Sequence, residues 1–150
     1  MIGPVLVKIK RLPHGRGLPL PTRMTASSAG MDLAAAVDAA TPIAPGEIRL
    51  IPCGFAMAIP HGYEGQVRPR SGLSTKHGVT LVNTPGTIDA DYRGEIHVPL
   101  INLGRHPFTV DRGTRIAQML ITPVPDVVVE EVDELNETYR GTGGFGHTGR

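Results

Sequence analysis

The sequence predicts an all-β domain, and three observations carry that prediction. Nineteen Gly and fourteen Pro are spread along 150 residues, a density that breaks long helices and suits short strands joined by turns. Apolar residues run together or alternate in period two over Val5 to Ile9, Glu47 to Ile59, Gly65 to Arg70, Glu95 to Leu103 and Arg115 to Val124, as half-buried or fully buried strands require. Turn signals separate them at Ala44-Pro-Gly46, Pro60-His-Gly62 and Asp111-Arg-Gly113.

Taken in order, the opening stretch Met1 to Lys10 has no basic region ahead of a long apolar one, and no apolar run reaches the ~20 residues of a membrane span. Met31 to Ala40 is Ala-rich but bounded by Gly30 and Thr41-Pro42, so it reads as extended. The one convincing helix runs from Ser71 toward His77, with Ser71 as N-cap and Gly78 closing the far end. In Gly113 to Leu120 a strand places Ile116 and Met119 out of phase, which marks a bulge or twist. Glu130 to Glu134 is an acidic, solvated lead into the Gly-rich tail Arg140 to Arg150, which is mobile when free. No repeat or linker divides the chain, so residues 1–150 form a single domain, with a β core over 1–139 and an arm over 140–150. There is no Trp, so Val, Ile, Leu, Ala and Met must fill the core. Such a thin sandwich has exposed edges and gains by associating.

The formal net charge is +1, with fifteen Lys and Arg against fourteen acids. No global field favours nucleic acid or an anionic membrane, and local sites must carry any anion recognition. Cys53 is the sole cysteine, which excludes an internal disulfide and points to a reduced, cytoplasmic setting. It lies in an apolar strand and reads as core, not as a nucleophile. The six His show no metal-ligand spacing.

Four segments could carry chemistry. In Arg68-Pro-Arg-Ser-Gly-Leu-Ser74 a strand meets a helix start, where free N–H groups and the Arg70 guanidinium suit a phosphate; taken alone, the segment is better explained as a capped helix with surface arginines. Asn83 to Gly94 holds Asp89 and Asp91, which point the same way if the segment is extended and diverge if it turns. A carboxylate there could deprotonate water and the Tyr92 ring could lie on a sugar, though paired acids in loops are commonly solvated turn formers. Arg115 and Gln118 are candidate phosphate ligands on an otherwise ordinary strand. Arg140 to Gly146 offers a guanidinium, open backbone donors and the Phe145 ring, a set able to close over a nucleotide or simply to remain a loose tail.

In this fixed order the segments resemble the motifs of the trimeric deoxyuridine triphosphatase family: Ala29-Gly-Met-Asp-Leu-Ala34, Pro69-Arg-Ser-Gly-Leu-Ser74, Gly86 to Gly94, Gly113-Thr-Arg-Ile-Ala-Gln-Met119 and Arg140 to Gly149. The resemblance implies a jelly-roll-like β-sandwich with one short helix, assembled as a homotrimer whose shared sites are closed by the C-terminal arm. It implies hydrolysis of dUTP to dUMP and pyrophosphate, which limits uracil incorporation into DNA and supplies dUMP for thymidylate synthesis.

By the same resemblance Asp89 is the base that activates water for attack at the α-phosphorus. Tyr92 packs on the deoxyribose where a 2′-hydroxyl would clash, and Asn83 contacts uracil. Arg70, Ser71, Gly72 and Gln118 bind phosphates, Arg140 the terminal one. Phe145 and Gly146 cover the base, and Gly86 and Ile88 belong to the hairpin between Val79 and Tyr92 that walls the pocket against a methyl group. Mg2+ is expected mainly on the triphosphate, with Asp32 touching it through water. His147 departs from the family, where Ser is common. Two rival readings are a dCTP deaminase-like enzyme and a non-catalytic nucleotide-sensing module. Deamination needs a Glu after the third motif, where this chain has Pro99, and proline exchanges no protons.

Overall fold

The computed structural model describes residues 3–149; Met1 and Ile2, which open the N-terminal stretch, and Arg150, which ends the arm, lie outside it. Its elements in order are β1 (Lys8–Arg11), a turn of 3-10 helix (Pro13–Gly15), β2 (Met31–Ala34), β3 (Thr41–Ile43), β4 (Ile48–Ala58), β5 (Tyr63–Arg68), α1 (Ser71–His77), β6 (Val79–Leu81), β7 (Gly86–Ile88), β8 (Glu95–Asn102), β9 (Phe108–Val110) and β10 (Arg115–Pro123). They build two four-stranded antiparallel sheets, β1-β4-β8-β6 and β2-β10-β5-β7, with β3-β9 as a separate two-stranded ribbon. The result is the all-β sandwich that the sequence predicts, of the jelly-roll type that the resemblance implies.

Alternation explains why the sheets stack. Along β8, Ile96, Val98, Leu100 and Asn102 are buried while Glu95, His97, Pro99 and Ile101 face the other way. The inward set meets Ile51 of β4, Leu33 of β2, Val67 of β5 and Ile116 and Met119 of β10 in one apolar cluster between the sheets. Asn102, the one fully buried polar side chain among the described residues, satisfies its amide locally. Its Nδ2 donates to the carbonyls of Ile43 (2.9 Å) and His106 (2.8 Å), and its Oδ1 accepts the Gly104 N–H at 2.9 Å. On the outer face of the same sheet Ile48 pairs with Ile101 and Leu50 with Pro99, and Ile48, Leu50 and Val82 of the β6 end are exposed.

Two irregularities shape the functional loops. The register of β4 against β8 breaks between Pro52 and Ala56, where Gly54 adopts φ 74°. The carbonyl freed there accepts the Leu12 N–H at 2.9 Å, and Gly15 lies so close that any Cβ would run into it. The bulge thus seats the 3-10 turn. In β10 the register shifts between Arg115 and Ala117, at the place where Ile116 and Met119 fall out of phase.

The helix spans the predicted residues, but its N-cap is Arg70, not Ser71. Arg70 is extended at φ −93°, ψ 130° and makes no side-chain capping bond, while Gly78 closes the helix at φ 69°. β1 starts at Lys8, later than the sequence suggests, and β2 covers only the first part of the extended Met31 to Ala40 segment. The short strands β3, β6, β7 and β9 are each three residues, too brief for alternation to register in sequence. Among the described residues no helix is long and apolar enough to cross a membrane.

Candidate functional site

Antiparallel register sets Asp32 of β2 opposite Gln118 of β10, and Gln118 opposite Arg68 of β5. Asp32 and Gln118, from neighbouring strands, thereby meet at the start of α1, while the Arg68 side chain bonds instead to Gln66. The Asp32 carboxylate sits between two guanidiniums: Arg70 Nε lies 3.2 Å from Oδ1 and Arg115 Nη1 lies 3.2 Å from Oδ2. Arg70 Nη1 also donates to the Arg115 carbonyl at 3.2 Å. The Asp32 side chain is only 17% exposed, so the two arginines offset the cost of removing it from water. Two cations on one anion leave a positive charge over, and with it the means to hold a further anion.

Asp32, Arg70, Ser71, Gly72 and Gln118 line one cleft of about 360 Å³. Gln118 is held there because its Nε2 donates to the Pro69 carbonyl at 3.1 Å and because Gly30 leaves room that a Cβ would take from its amide oxygen. Met24 and Ser28 also line the cleft; only their nearness to the first motif hints at this in sequence. A larger cleft of about 920 Å³ lies between Gly3–Val7 and Pro21–Ala26, but Arg23 is its only charged lining residue. The smaller one holds the Asp32 and Arg70 side chains.

A second group lies on the segment from β6 to Tyr92, which is not the hairpin expected from the sequence: β6 pairs with β8 in one sheet and β7 with β5 in the other, so the chain crosses between sheets here. Asn83 is exposed in its loop, next to a cis Thr84-Pro85 bond. Gly86 pairs with Val67 and Ile88 with Gly65, which buries both on the sheet. Beyond β7 the chain turns, with the Tyr92 N–H donating to the Asp89 carbonyl at 3.1 Å. The acids therefore sit in a turn, not on an extended strand, and Asp89 and Tyr92 are its two ends. The Tyr92 hydroxyl donates to the Glu95 carbonyl at 2.9 Å.

The two groups are separated by the length of a strand. Asp89 follows Ile88, which pairs near the Tyr63 end of β5, whereas Arg70 follows the Arg68 end. Asp89 lies one residue beyond the Ile88–Gly65 pair and Arg70 two beyond Arg68, so six steps at ~3.3 Å each separate them by up to about 20 Å along the strand direction.

The third group is on the tail. Beyond Pro123 the described residues form no helix or strand, so the irregular stretch begins well before Arg140. Arg140 Nε donates to the Gly143 carbonyl at 2.7 Å, and Phe145 has φ 48° and a fully exposed ring. Gly146 follows at φ 90°. Within one chain the structure brings Asp32, Arg70, Ser71, Gly72 and Gln118 together, holds Asn83, Gly86, Ile88, Asp89 and Tyr92 apart on the segment around β7, and leaves Arg140, Phe145 and Gly146 unattached to either.

Among the described residues no cluster of three or more His, Cys, Asp or Glu could hold a metal ion. Cys53 is buried, and burial, aided by the nearby Glu95 carboxylate, pushes its thiol up to about 12. That environment favours an inert core thiol.

A dUTPase family model matches residues 16–149. The chain is 63% identical over 147 residues to the deoxyuridine 5'-triphosphate nucleotidohydrolase of Maricaulis maris (strain MCS10), covering 97% of each. It is 56% identical over 148 residues to the enzyme of that name from Wolbachia pipientis subsp. Culex pipiens (strain wPip), again covering 97% of each. Among solved structures, the Staphylococcus bacteriophage 80alpha dUTPase with dUpNHpp superposes with TM-score 0.87 at 25% identity, over 97% of this chain and 99% of that one. The phage phi11 dUTPase of S. aureus, TM-score 0.77 at 23% identity over 89% and 99%, is similar in fold. The chain belongs to the dUTPase family.

Proposed function

We propose that the protein hydrolyses dUTP to dUMP and pyrophosphate, in sites completed between copies of the chain. Family membership and the two nucleotidohydrolase relatives support the reaction. The observation that carries the shared-site reading is the separation of up to about 20 Å between Asp89 and the Arg70 cleft, from three strand steps of β5 and the residues flanking them. A triphosphate is too short to join those points in one chain. A second copy can present its Asp89 turn at the first copy's cleft, and a third can supply Arg140 and Phe145 from a tail whose own core makes no use of them. The exposed apolar outer face of β4, β6 and β8, with Ile48, Leu50 and Val82, suits the homotrimer that this requires.

In this reading Ser71 and Gly72 offer backbone N–H groups to the phosphates, and Arg70, Gln118 and the arm's Arg140 add charge and hydrogen bonds. Asp89 orients a water in line with the α-phosphorus and takes its proton. Tyr92 lies on the deoxyribose, Asn83 on uracil, and Phe145 over the base. Arm closure excludes bulk water and makes turnover depend on bound substrate.

Mg2+ fits this site as the companion of the triphosphate. No protein cage stands ready for it among the described residues, and both Asp32 oxygens already face guanidiniums, which leaves Asp32 contact through water. Bound there, Mg2+ would supply positive charge to the pyrophosphate leaving group. A cytoplasmic setting agrees with a single buried cysteine.

The test is a panel of dUTP, UTP, dCTP and dTTP with and without Mg2+, read as pyrophosphate and ammonia release. Stoichiometric dUMP and pyrophosphate from dUTP alone are expected. Ammonia from dCTP would establish a deaminase instead, and tight dUTP binding without turnover a sensor.

A further inference from the structure

Glu95 stands immediately beyond the third motif and joins elements that the reaction as described leaves aside. Its carboxylate is 17% exposed and makes a close pair with His14 Nε2, from the 3-10 turn. The Gly54 N–H, left over where the β4 ladder breaks, donates to the same carboxylate oxygen at 3.1 Å. The other oxygen lies 3.3 Å from His97 Nε2. The main chain of Glu95 takes part as well, since its carbonyl accepts the Tyr92 hydroxyl at 2.9 Å and has His97 Nδ1 3.1 Å away.

We propose that Glu95, braced by His14, His97 and the Gly54 N–H, is the positioning residue that fixes the Tyr92 ring and thereby sharpens discrimination against a 2′-hydroxyl. The inference rests on the reading of Tyr92 as the residue that packs on the deoxyribose. Its physical basis is that Tyr92 is 45% exposed, so packing alone does not set its ring. Gly94 permits the ring to fold back, for a Cβ at that position would meet its hydroxyl end. The hydroxyl then needs an acceptor that does not move. The register break in β4 removes ladder support beside Glu95, and the carboxylate bridge to Gly54 and the 3-10 turn restores it. A ring held this way excludes an added oxygen by contact, while a loosely held ring gives way.

The measurement is kcat/KM for dUTP and for UTP in the full-length wild type, Tyr92→Ala, Tyr92→Phe, Glu95→Ala, Glu95→Gln and His14→Ala. Tyr92→Phe and Glu95→Ala should each lower the dUTP/UTP ratio about three- to tenfold, the scale of one net hydrogen bond. The double variant should fall no further, because both changes release the same ring. Glu95→Gln keeps an acceptor for the Gly54 N–H and should recover part of the ratio, and His14→Ala should show a smaller loss in the same direction. A general structural role would weaken both substrates alike, so an unchanged ratio in Glu95→Ala with a lowered ratio in Tyr92→Ala overturns the proposal alone. An unchanged ratio in Tyr92→Ala overturns the sugar-packing reading and the proposal together. With only three Tyr in the chain, 13C-tyrosine NMR supplies a readout independent of turnover. The Tyr92 signal should move in Glu95→Gln and His14→Ala while those of Tyr63 and Tyr139 stay, and a stationary Tyr92 signal counts against the proposal even if Glu95→Ala does not fold.

Discussion

Asp89 and Arg70 belong to opposite ends of β5: the turn that begins at Asp89 follows a β7 strand whose last residue pairs with Gly65, and Arg70 lies just beyond Arg68. In a site shared between copies Asp89 faces the attacking water and Arg70 the phosphates, so neutralising the first should leave phosphate binding in place. Asp89→Asn is therefore expected to lower kcat for dUTP about 10²–10⁴-fold while leaving the affinity for a non-hydrolysable dUTP analogue nearly unchanged. Steady-state pyrophosphate release and calorimetric titration check the two halves, and wild-type turnover in the variant would exclude Asp89 as the base.

Asp32 spaces Arg70 and Arg115 in the cleft. Asp32→Asn removes the anion that orients both, and kcat/KM for dUTP with Mg2+ should drop about 10–100-fold, the usual size of a lost supporting contact. A Mg2+ titration of activity should show the loss concentrated at low Mg2+. Equal loss at all Mg2+ levels would mean that Asp32 serves the arginines only.

Removing residues 140–150 should leave the thermal midpoint within about a degree or two of the intact chain, as expected of a surface segment, because Arg140 and Gly143 bond to each other and not to the sandwich. Turnover of dUTP should nonetheless collapse. Scanning calorimetry and pyrophosphate release on the same sample make the comparison, and retained turnover would remove the arm from the mechanism.

The Asn102 amide closes three hydrogen bonds inside the protein, to Ile43, His106 and Gly104. Asn102→Leu leaves those backbone groups without partners, at a cost of about 2–4 kcal/mol when one net bond is worth ~1 kcal/mol and orphaned groups add more. Urea unfolding should show a lower midpoint with an unchanged slope.

Cys53 should resist iodoacetamide at pH 8 in the folded protein and react once denaturant is added. Burial raises its thiol from 9.0 to about 12, so the folded state favours the neutral form. That contribution to stability is whole below about pH 9 and declines as pH rises toward 12. Rapid native labelling at pH 8 would show that the β4 bulge opens.

Much of the architecture was legible because it rests on repeated local signals. Period-two alternation over Glu95 to Leu103, the Gly78 helix stop and the phase slip at Ile116 each write a backbone preference into neighbouring residues. Three-residue strands such as β7 carry no such record, since their place depends on a partner strand far away in the chain. The extended backbone that makes Arg70 the cap also follows from where β5 ends, not from the Ser at 71.

For the candidate site the division is similar. The residue types are readable locally: Asp89 and Tyr92 in one short segment, Arg70, Ser71 and Gly72 at a helix start, Gln118 on a strand, Arg140 and Phe145 on a Gly-rich tail. Their arrangement comes from the fold: it makes Asp32, Arg70 and Arg115 one ion-paired unit and puts the Asp89 turn up to about 20 Å of strand away from it. It alone joined the Tyr92 hydroxyl to Glu95, and Glu95 to His14. The physical reason is that side-chain identity is local, whereas contact between residues eighty positions apart is set by sheet register and by a bulge whose effects sum over the whole fold.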